Sequence, residues 1–347
     1  MLSSSNWRYA SNDNNRPSAI LKQTPEDFRV TEELGYDTCG EGEHQYLWVE
    51  KKLANTAWVA EQLARYTGLP LRQVTYAGRK DKYAVTQQWF SLHAPGAANF
   101  DFSSFDCEGV KILGHHRHNK KLRTGQLQGN RFAIALRQVS DPERLVDNLK
   151  RAASEGVPNY FGEQRFGMVR LDDSGRRQEG GNLQLAEKML NGEVIRNRNK
   201  RNMALSALRS WLFNEIVSQR IAQGKLDTLL PGDALMLNGS NSFFINDNSD
   251  DLPARYTQQD LAPTAALWGK GTPPSLEEAL ALEMSVAQAT PAVCDFLQDA
   301  GLKQERRPVK IWPRQLEWQH IGDTVRVEFS LPSGCYATTV LRECVDF

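Results

Sequence analysis

Apolar and polar positions alternate along several short stretches of the first 140 residues, the period of a strand with one buried face. Phe28 to Glu33 and Gln45 to Glu50 read as strands, separated by the turn-rich segment Gly35 to Gly42. Val74 to Ala77 and Thr86 to Leu92 are rich in β-branched and aromatic residues and read the same way. Phe132, Ile134 and Leu136 alternate with Ala133, Ala135 and Arg137. Helical spacing interrupts these strands twice. Val59, Leu63 and Tyr66 share a face, with Asn55 placed as a cap and Gly68 with Pro70 as a stop. Ser140-Asp141-Pro142-Glu143 reads as a capping box for a helix ending at Gly156.

From about residue 158 to residue 310 the pattern shifts to long helical periods and irregular polar loops. Leu205, Leu208, Leu212, Ile216 and Ile221 recur at helical spacing from Asn202 to Gln223, before Gly224. Asn238 to Gly271 is dominated by Asn, Asp, Ser, Pro and Gly, which predicts little regular structure. After Pro313, Val325, Val327, Phe329 and Leu331 alternate with Arg326, Glu328 and Ser330, and the strand pattern returns. The last residues thus resemble the first half more than the middle. With 347 residues, enough for about two cores, this predicts an α+β chain. Residues 18–157 and 311–347 form a discontinuous sheet domain, 158–310 an inserted second domain, and 1–17 a mobile tail.

Composition adds a charge asymmetry. Forty-two basic and forty-two acidic residues cancel, so net charge gives no reason to expect a nucleic-acid partner. Lys111, Arg117, Lys120, Lys121, Arg123, Arg131 and Arg137 nevertheless lie in a stretch without Asp or Glu, while Asp247, Asp250, Asp251, Asp260, Glu277, Glu278 and Glu283 gather later. Such segregation suits a protein with one RNA-facing side. The first residues lack the apolar core of a signal peptide and no later run approaches a membrane span, so a cytoplasmic protein is expected. Five cysteines without a C-x-x-C pair suggest free thiols and neither a disulfide framework nor a zinc site.

The densest chemistry lies in Tyr76-Ala77-Gly78-Arg79-Lys80-Asp81-Lys82-Tyr83-Ala84, between two strands. Lysines beside an aspartate favour its charged form, so Asp81 is a candidate nucleophile on a strand connection. A phosphate-binding P-loop is excluded, because its second glycine followed by Lys-Ser or Lys-Thr is missing. On composition alone, a solvated turn with incidental charges explains the stretch equally well.

Tyr76 to Ser91 closely resembles the signature of the pseudouridine synthase D (TruD) family, enzymes that isomerise a uridine in tRNA. Four further segments match in the family's order: Leu21 to Glu32, Gly129-Asn130-Arg131-Phe132, Asn159 to Gly167, and Ser333 to Glu343. The resemblance implies a catalytic domain on a mainly antiparallel mixed sheet with an inserted α/β domain. It also implies Asp81 as the catalytic nucleophile with Lys22 beside it, and the uridine at position 13, in the D arm, as target. Phe28 and Tyr336 are carried over as aromatics that pack on the base, and Asn130 as a polar contact to it. Tyr336 departs from the family, which commonly has phenylalanine there. The reaction needs no cofactor, and a monomer acting on tRNA, with no membrane and no obligatory protein partner, is implied.

Phosphate contacts are expected from Arg117, Lys120, Lys121 and Arg123, and from Arg196, Arg198, Lys200 and Arg201, the second group lying just before the helix that begins near Asn202. The two runs are expected to face one cleft between the domains. His115, His116 and His118 interleave with these cations and read as part of an RNA-facing loop, with no metal expected. Two other readings use the same residues. A non-catalytic RNA binder would not need an aspartate paired with Lys22, and a glycosidic hydrolase usually employs a second carboxylate.

Overall fold

The computed structural model describes residues 2–4, 6–11, 15–96, 99–167, 169–171 and 177–347. The chain divides into two compact units. One comprises Arg16–Ala153, Pro313–Gly334 and Cys344–Phe347, the other Met1–Asn15, Ser154–Trp312 and Cys335–Glu343.

In the first unit the chain forms β1 (Ile20–Leu21), β2 (Phe28–Glu33), β3 (His44–Lys52), α1 (Thr56–Thr67), β4 (Val74–Tyr76), β5 (Val85–His93), β6 (Val110–His118) and β7 (Gly129–Arg137). Helix α2 (Pro142–Glu155) leads out of it. The second unit contributes β8 (Val157–Pro158), α3 (Glu163–Phe166), β9 (Arg170–Leu171), β10 (Arg177–Gln178), α4 (Gly181–Leu190) and α5 (Arg198–Ala222). It continues with β11 (Ala234–Leu237), β12 (Phe243–Ile245), α6 (Leu252–Thr257), β13 (Leu261–Leu267), α7 (Glu277–Ala289), α8 (Pro291–Asp299), β14 (Glu305–Pro308) and β15 (Lys310–Ile311). Strands β16 (Arg314–Ile321) and β17 (Thr324–Pro332) return to the first unit, and α9 (Ala337–Cys344) follows.

The first unit is built on a nine-stranded sheet whose main path runs β16-β17-β7-β2-β5-β3-β6, with β1 added to β7 and β4 to β5. Among the described residues the β2/β5 pair of this sheet is parallel and its other strand pairs are antiparallel, so the sheet is mixed and mainly antiparallel. Strand alternation decides its core: Leu47, Val49, Phe90 and Leu92 pack against Val59, Ala60, Leu63 and Ala64 of α1. Phe132 bridges Phe28 and Phe329 through ring contacts at 6.2 and 5.6 Å on the neighbouring strands. Burial of this apolar surface is the main favourable term.

Local punctuation differs from expectation in instructive places. Helix α1 ends at Gly68 in the left-handed region (φ 70°), but Asn55 makes no side-chain cap bond. At α2 the cap is Asp141, whose carboxylate accepts the Arg144 amide at 3.0 Å, and not Ser140, whose hydroxyl accepts the Ser18 amide. Asn238 to Gly271, expected to be irregular, contains β12, α6 and β13. Strand β13 is buried on both faces over most of its length, so it shows no alternation to read. The amino-terminal segment, expected as a mobile tail, puts Trp7 into the core of the second unit, stacked on Tyr160 and donating to the Glu215 carboxylate at 2.8 Å. Residues 1, 5 and 12–14 of that expected tail lie outside the described residues.

The second unit is organised on α5, which buries Ala204, Ala207, Leu208, Trp211, Leu212 and Ile216. A four-stranded sheet in the order β12-β11-β13-β14 accompanies it. None of the five cysteines forms a disulfide. Among the described residues no helix is long and apolar enough to cross a membrane.

The capping assignment is directly testable. Asp141→Ala is expected to lower stability by about 1 kcal/mol in urea denaturation, whereas Ser140→Ala changes it by less than about half of that. The reverse order would restore Ser140 as the cap.

Candidate active site

The loop carrying Asp81 joins β4 to β5, which pair antiparallel with Val74 opposite Leu92 and Tyr76 opposite Phe90. Its ends are pinned by burial of Ala77 and Ala84. Between them four side chains from other elements hold its backbone or its cations. The Gln88 amide donates to the Gly78 carbonyl at 3.2 Å, and the Thr56 hydroxyl accepts the Lys80 amide at 3.0 Å while donating to Gln88 Oε1 at 2.9 Å. Lys51 Nζ donates to the Asp81 carbonyl oxygen at 2.8 Å. Glu32 receives the Lys80 ammonium at 2.8 Å, with both side chains almost wholly buried. Asn55 leaves α1 without a side-chain cap, and the adjacent Thr56 serves the loop.

Lys22 reaches Asp81 from the turn after β1. Its Nζ lies 2.6 Å from Asp81 Oδ2 and 4.0 Å from the centre of the Phe28 ring. This is a charge-assisted hydrogen bond whose cation also sits on an aromatic face. Lys22 itself has φ 57°, the left-handed region that a residue with a Cβ rarely adopts. The following turn is anchored by Asp27, which accepts the Thr24 amide and a bidentate pair from Arg137 at 2.7 to 3.0 Å. Burial would raise the Asp27 carboxyl, but these donors outweigh it and hold the group below its ordinary range.

Asp81 is about one-third exposed at its side chain, and its Oδ1 has no hydrogen-bond partner among the described residues. One carboxylate oxygen is therefore held and the other is open. Lys51 is fully buried, and burial drives its ammonium down from 10.5 to about 8; the Asp81 charge opposes the shift and Lys80 adds to it.

The other expected site residues are distributed as follows. Asn130 lies on β7 opposite Glu32 of β2, so the two side chains share a sheet face. Its Oδ1 is buried without a partner. Phe28 is 3% exposed, a core residue whose ring supports Lys22. Tyr336 belongs to the second unit, where its hydroxyl accepts from Arg165 Nε at 3.1 Å and its ring meets Phe161 edge-on at 6.1 Å. Arg165 also donates to Ser206 at 2.9 Å.

The basic residues divide. Arg117 is occupied by the Asn99 side chain and the Gly42 and Ala94 carbonyls, at 2.6 to 3.1 Å, so it knits loops together. Lys120, Lys121 and Arg123 are exposed, with Lys121 donating to the Arg72 carbonyl. Arg131 and Arg137, counted in the same basic stretch, pair with Glu328 and Asp27. His115, His116 and His118 lie on strand β6 and not on a loop; His118 is buried against Tyr36 and Tyr46. Helix α5 begins at Arg198, so Arg198, Lys200 and Arg201 occupy its first turn and only Arg196 precedes it. Asn197 caps that turn by accepting the Lys200 amide at 3.0 Å, and all four cations are exposed.

Lys51, Thr56, Gln88 and Glu32 escaped the sequence reading. Their signal was present in part. Glu32 follows Phe28 and Val30, and Lys51 follows Leu47 and Val49, at the parity of the buried face. A charge at such a position needs a partner.

The sequence model of tRNA pseudouridine synthase D (TruD) matches residues 5–175 and 187–344. A tRNA pseudouridine synthase D of Pseudoalteromonas atlantica is 49% identical over 341 residues, 98% of this chain and 96% of the relative. That of Aeromonas salmonicida is 45% identical over 328 residues, 94% of this chain and 90% of the relative. Among solved structures, a putative tRNA pseudouridine synthase D from Methanosarcina mazei superposes with a TM-score of 0.71 at 22% identity, covering 97% of this chain and 95% of that one, which establishes the common fold. The chain belongs to the tRNA pseudouridine synthase D family, a family of isomerases.

Proposed function

We propose that this chain isomerises uridine to pseudouridine in tRNA, at position 13 in the D arm, with Asp81 as nucleophile. It acts as a cytoplasmic monomer without a cofactor. The observation that carries this reading is the Lys22–Asp81 pair: one carboxylate oxygen fixed at 2.6 Å, the other open, on a loop anchored along its length. A fixed carboxylate with a free oxygen suits nucleophilic work. A binding protein would gain nothing from the arrangement.

The reaction breaks the bond between the sugar C1′ and uracil N1 and forms one between C1′ and C5. C5 loses a proton and N1 gains one, so atoms and electrons balance within the nucleoside. Asp81 Oδ1 attacks the sugar C1′ as the C1′–N1 bond breaks and the uracil leaves as its anion, and is itself displaced when C5 of the turned base bonds to C1′; Lys22 orients the carboxylate through Oδ2. Asn130 Oδ1, buried and without a partner, is an acceptor suited to the N3–H of uracil. Phe28 is buried with Lys22 over its ring, so its service is to seat that lysine. Tyr336, oriented by Arg165, supplies the stacking surface that a flipped base requires. Phosphates are met by the exposed Lys120, Lys121 and Arg123 in one unit and by Arg196, Arg198, Lys200 and Arg201 in the other; Arg117 contributes indirectly, by fixing the loops it bonds.

Asp81→Asn is expected to lower product formation by roughly a thousandfold or more with tRNA affinity within about twofold of wild type. Chemical mapping of pseudouridine in tRNA incubated with each protein reads this out, and near-normal product from the variant would remove Asp81 from the mechanism.

Tyr336→Phe keeps the ring and loses the Arg165 bond, so turnover should fall by less than about tenfold, whereas Tyr336→Leu should cost on the order of 5- to 150-fold. A severe loss from the phenylalanine variant alone would give the hydroxyl a direct part.

Replacing Lys120, Lys121 and Arg123 together by Gln should weaken tRNA binding and flatten its dependence on salt by about one counterion per contact. Turnover at saturating tRNA should change little. An unchanged salt slope would show that these cations lie off the RNA path.

A further inference from the structure

We infer that Lys51 is a positioning residue for Asp81, its buried ammonium clamping the Asp81 carbonyl and holding the loop in the conformation that presents the carboxylate. The inference rests on the proposed role of Asp81 as nucleophile.

Lys51 is the next-to-last residue of β3, in register with Thr86 on β5 and Val110 on β6. Its side chain follows Leu47 and Val49 onto the face covered by α1, where both leucine and valine are fully buried. Lys51 is also 0% exposed, and its Nζ has one hydrogen bond among the described residues, the 2.8 Å bond to the Asp81 carbonyl. An ammonium carries three donors, and burying it beside a single neutral acceptor is costly. Its other charged neighbours do not relieve that cost by direct pairing. The Asp81 carboxylate is bonded to Lys22, and the Lys80 ammonium, itself repelling Lys51, is bonded to Glu32. A methionine would fill the same space without a charge, so packing gives no reason for lysine here. The bond to the residue that bears the nucleophile does.

The same burial predicts opposite responses of stability and turnover to pH. The Lys51 ammonium is lowered from 10.5 to about 8 by burial, against the pull of Asp81. Between those values the unfolded chain holds one proton more than the folded one, so this group makes the fold more stable as pH rises. Deprotonation meanwhile weakens the clamp on the Asp81 carbonyl, because a neutral amine is a poorer donor. Turnover should therefore fall where stability rises.

The test compares Lys51→Met and Lys51→Gln with the wild-type protein on full-length tRNA. Each is assayed for kcat, KM and thermal unfolding between about pH 6 and pH 10. Lys51→Met is expected to unfold at a temperature equal to or above that of wild type, to lose roughly tenfold to a hundredfold in kcat with KM nearly unchanged, and to lack the alkaline fall expected near pH 8 in wild type. Lys51→Gln, which keeps a neutral N–H donor, should recover part of kcat and also lack that fall. Variants that retain wild-type kcat and the same alkaline limb overturn the inference, as does a loss of kcat that only parallels a loss of thermal stability. Asp81→Asn, run beside them, separates the two claims. If it is inactive while the Lys51 variants behave as wild type, the positioning role alone fails; if it is active, the reading of Asp81 and this inference fail together.

Discussion

The buried pair between Lys80 and Glu32 is the constraint on which the site depends. The parallel pairing of β2 with β5 ends at Thr31 opposite Gln87, and one residue later the Glu32 carboxylate turns into the sheet to accept the Trp89 amide at 2.8 Å. Its other oxygen takes the Lys80 ammonium. A single side chain thus completes the hydrogen bonding of a strand and anchors the loop that follows β4. Removing one member of a buried pair leaves an uncompensated charge, typically at a cost of about 3–5 kcal/mol. The parallel β2/β5 pairing thus ends beside this pair.

Three lysines around one aspartate perform three different tasks. Lys22 addresses the carboxylate, Lys51 the main-chain carbonyl, and Lys80 reaches away to the sheet. Their environments separate them: Lys22 is partly exposed and stands on an aromatic ring, while Lys51 and Lys80 are enclosed. Lys22 also takes a backbone conformation that costs about 1–2 kcal/mol for a residue with a Cβ. Glycine would relax that backbone but remove the amine, so the strain is tied to the chemistry of the side chain.

Much of the sheet unit was legible because its strands are half-buried and alternate. Phe28 to Glu33, Val74 to Tyr76, Val85 to His93 and Thr324 to Pro332 all lie within a residue or two of the pattern. Strand β13 was not legible, because burial on both faces erases the period. Asp81, Lys22 and Asn130 were singled out through motifs, whereas Lys51 was given no role in sequence and Glu32 stood only as the last residue of a matched segment. Their meaning lies in which face of a strand they occupy and in what crosses over it. Arg117 shows the reverse case, a cation with the right neighbours in sequence that folding commits to carbonyls. Composition locates charge along the chain; only tertiary packing decides which charges remain available.

The place of β17 in the sheet has a consequence for how the protein is made. That strand pairs with β7 along eight residues, Val325 through Pro332, and also receives β16, yet it follows the whole second-unit segment Ser154–Trp312 in the chain. Asp346 then bonds back to Pro17 and Ala19. During translation β7 must wait, one edge unpaired, until nearly the whole chain has emerged from the ribosome. An open edge on a nascent sheet is a site for mispairing. The order of synthesis therefore favours early folding of α1 against β3, β4 and β5, whose contacts are local, and leaves closure of the sheet as a late, long-range event.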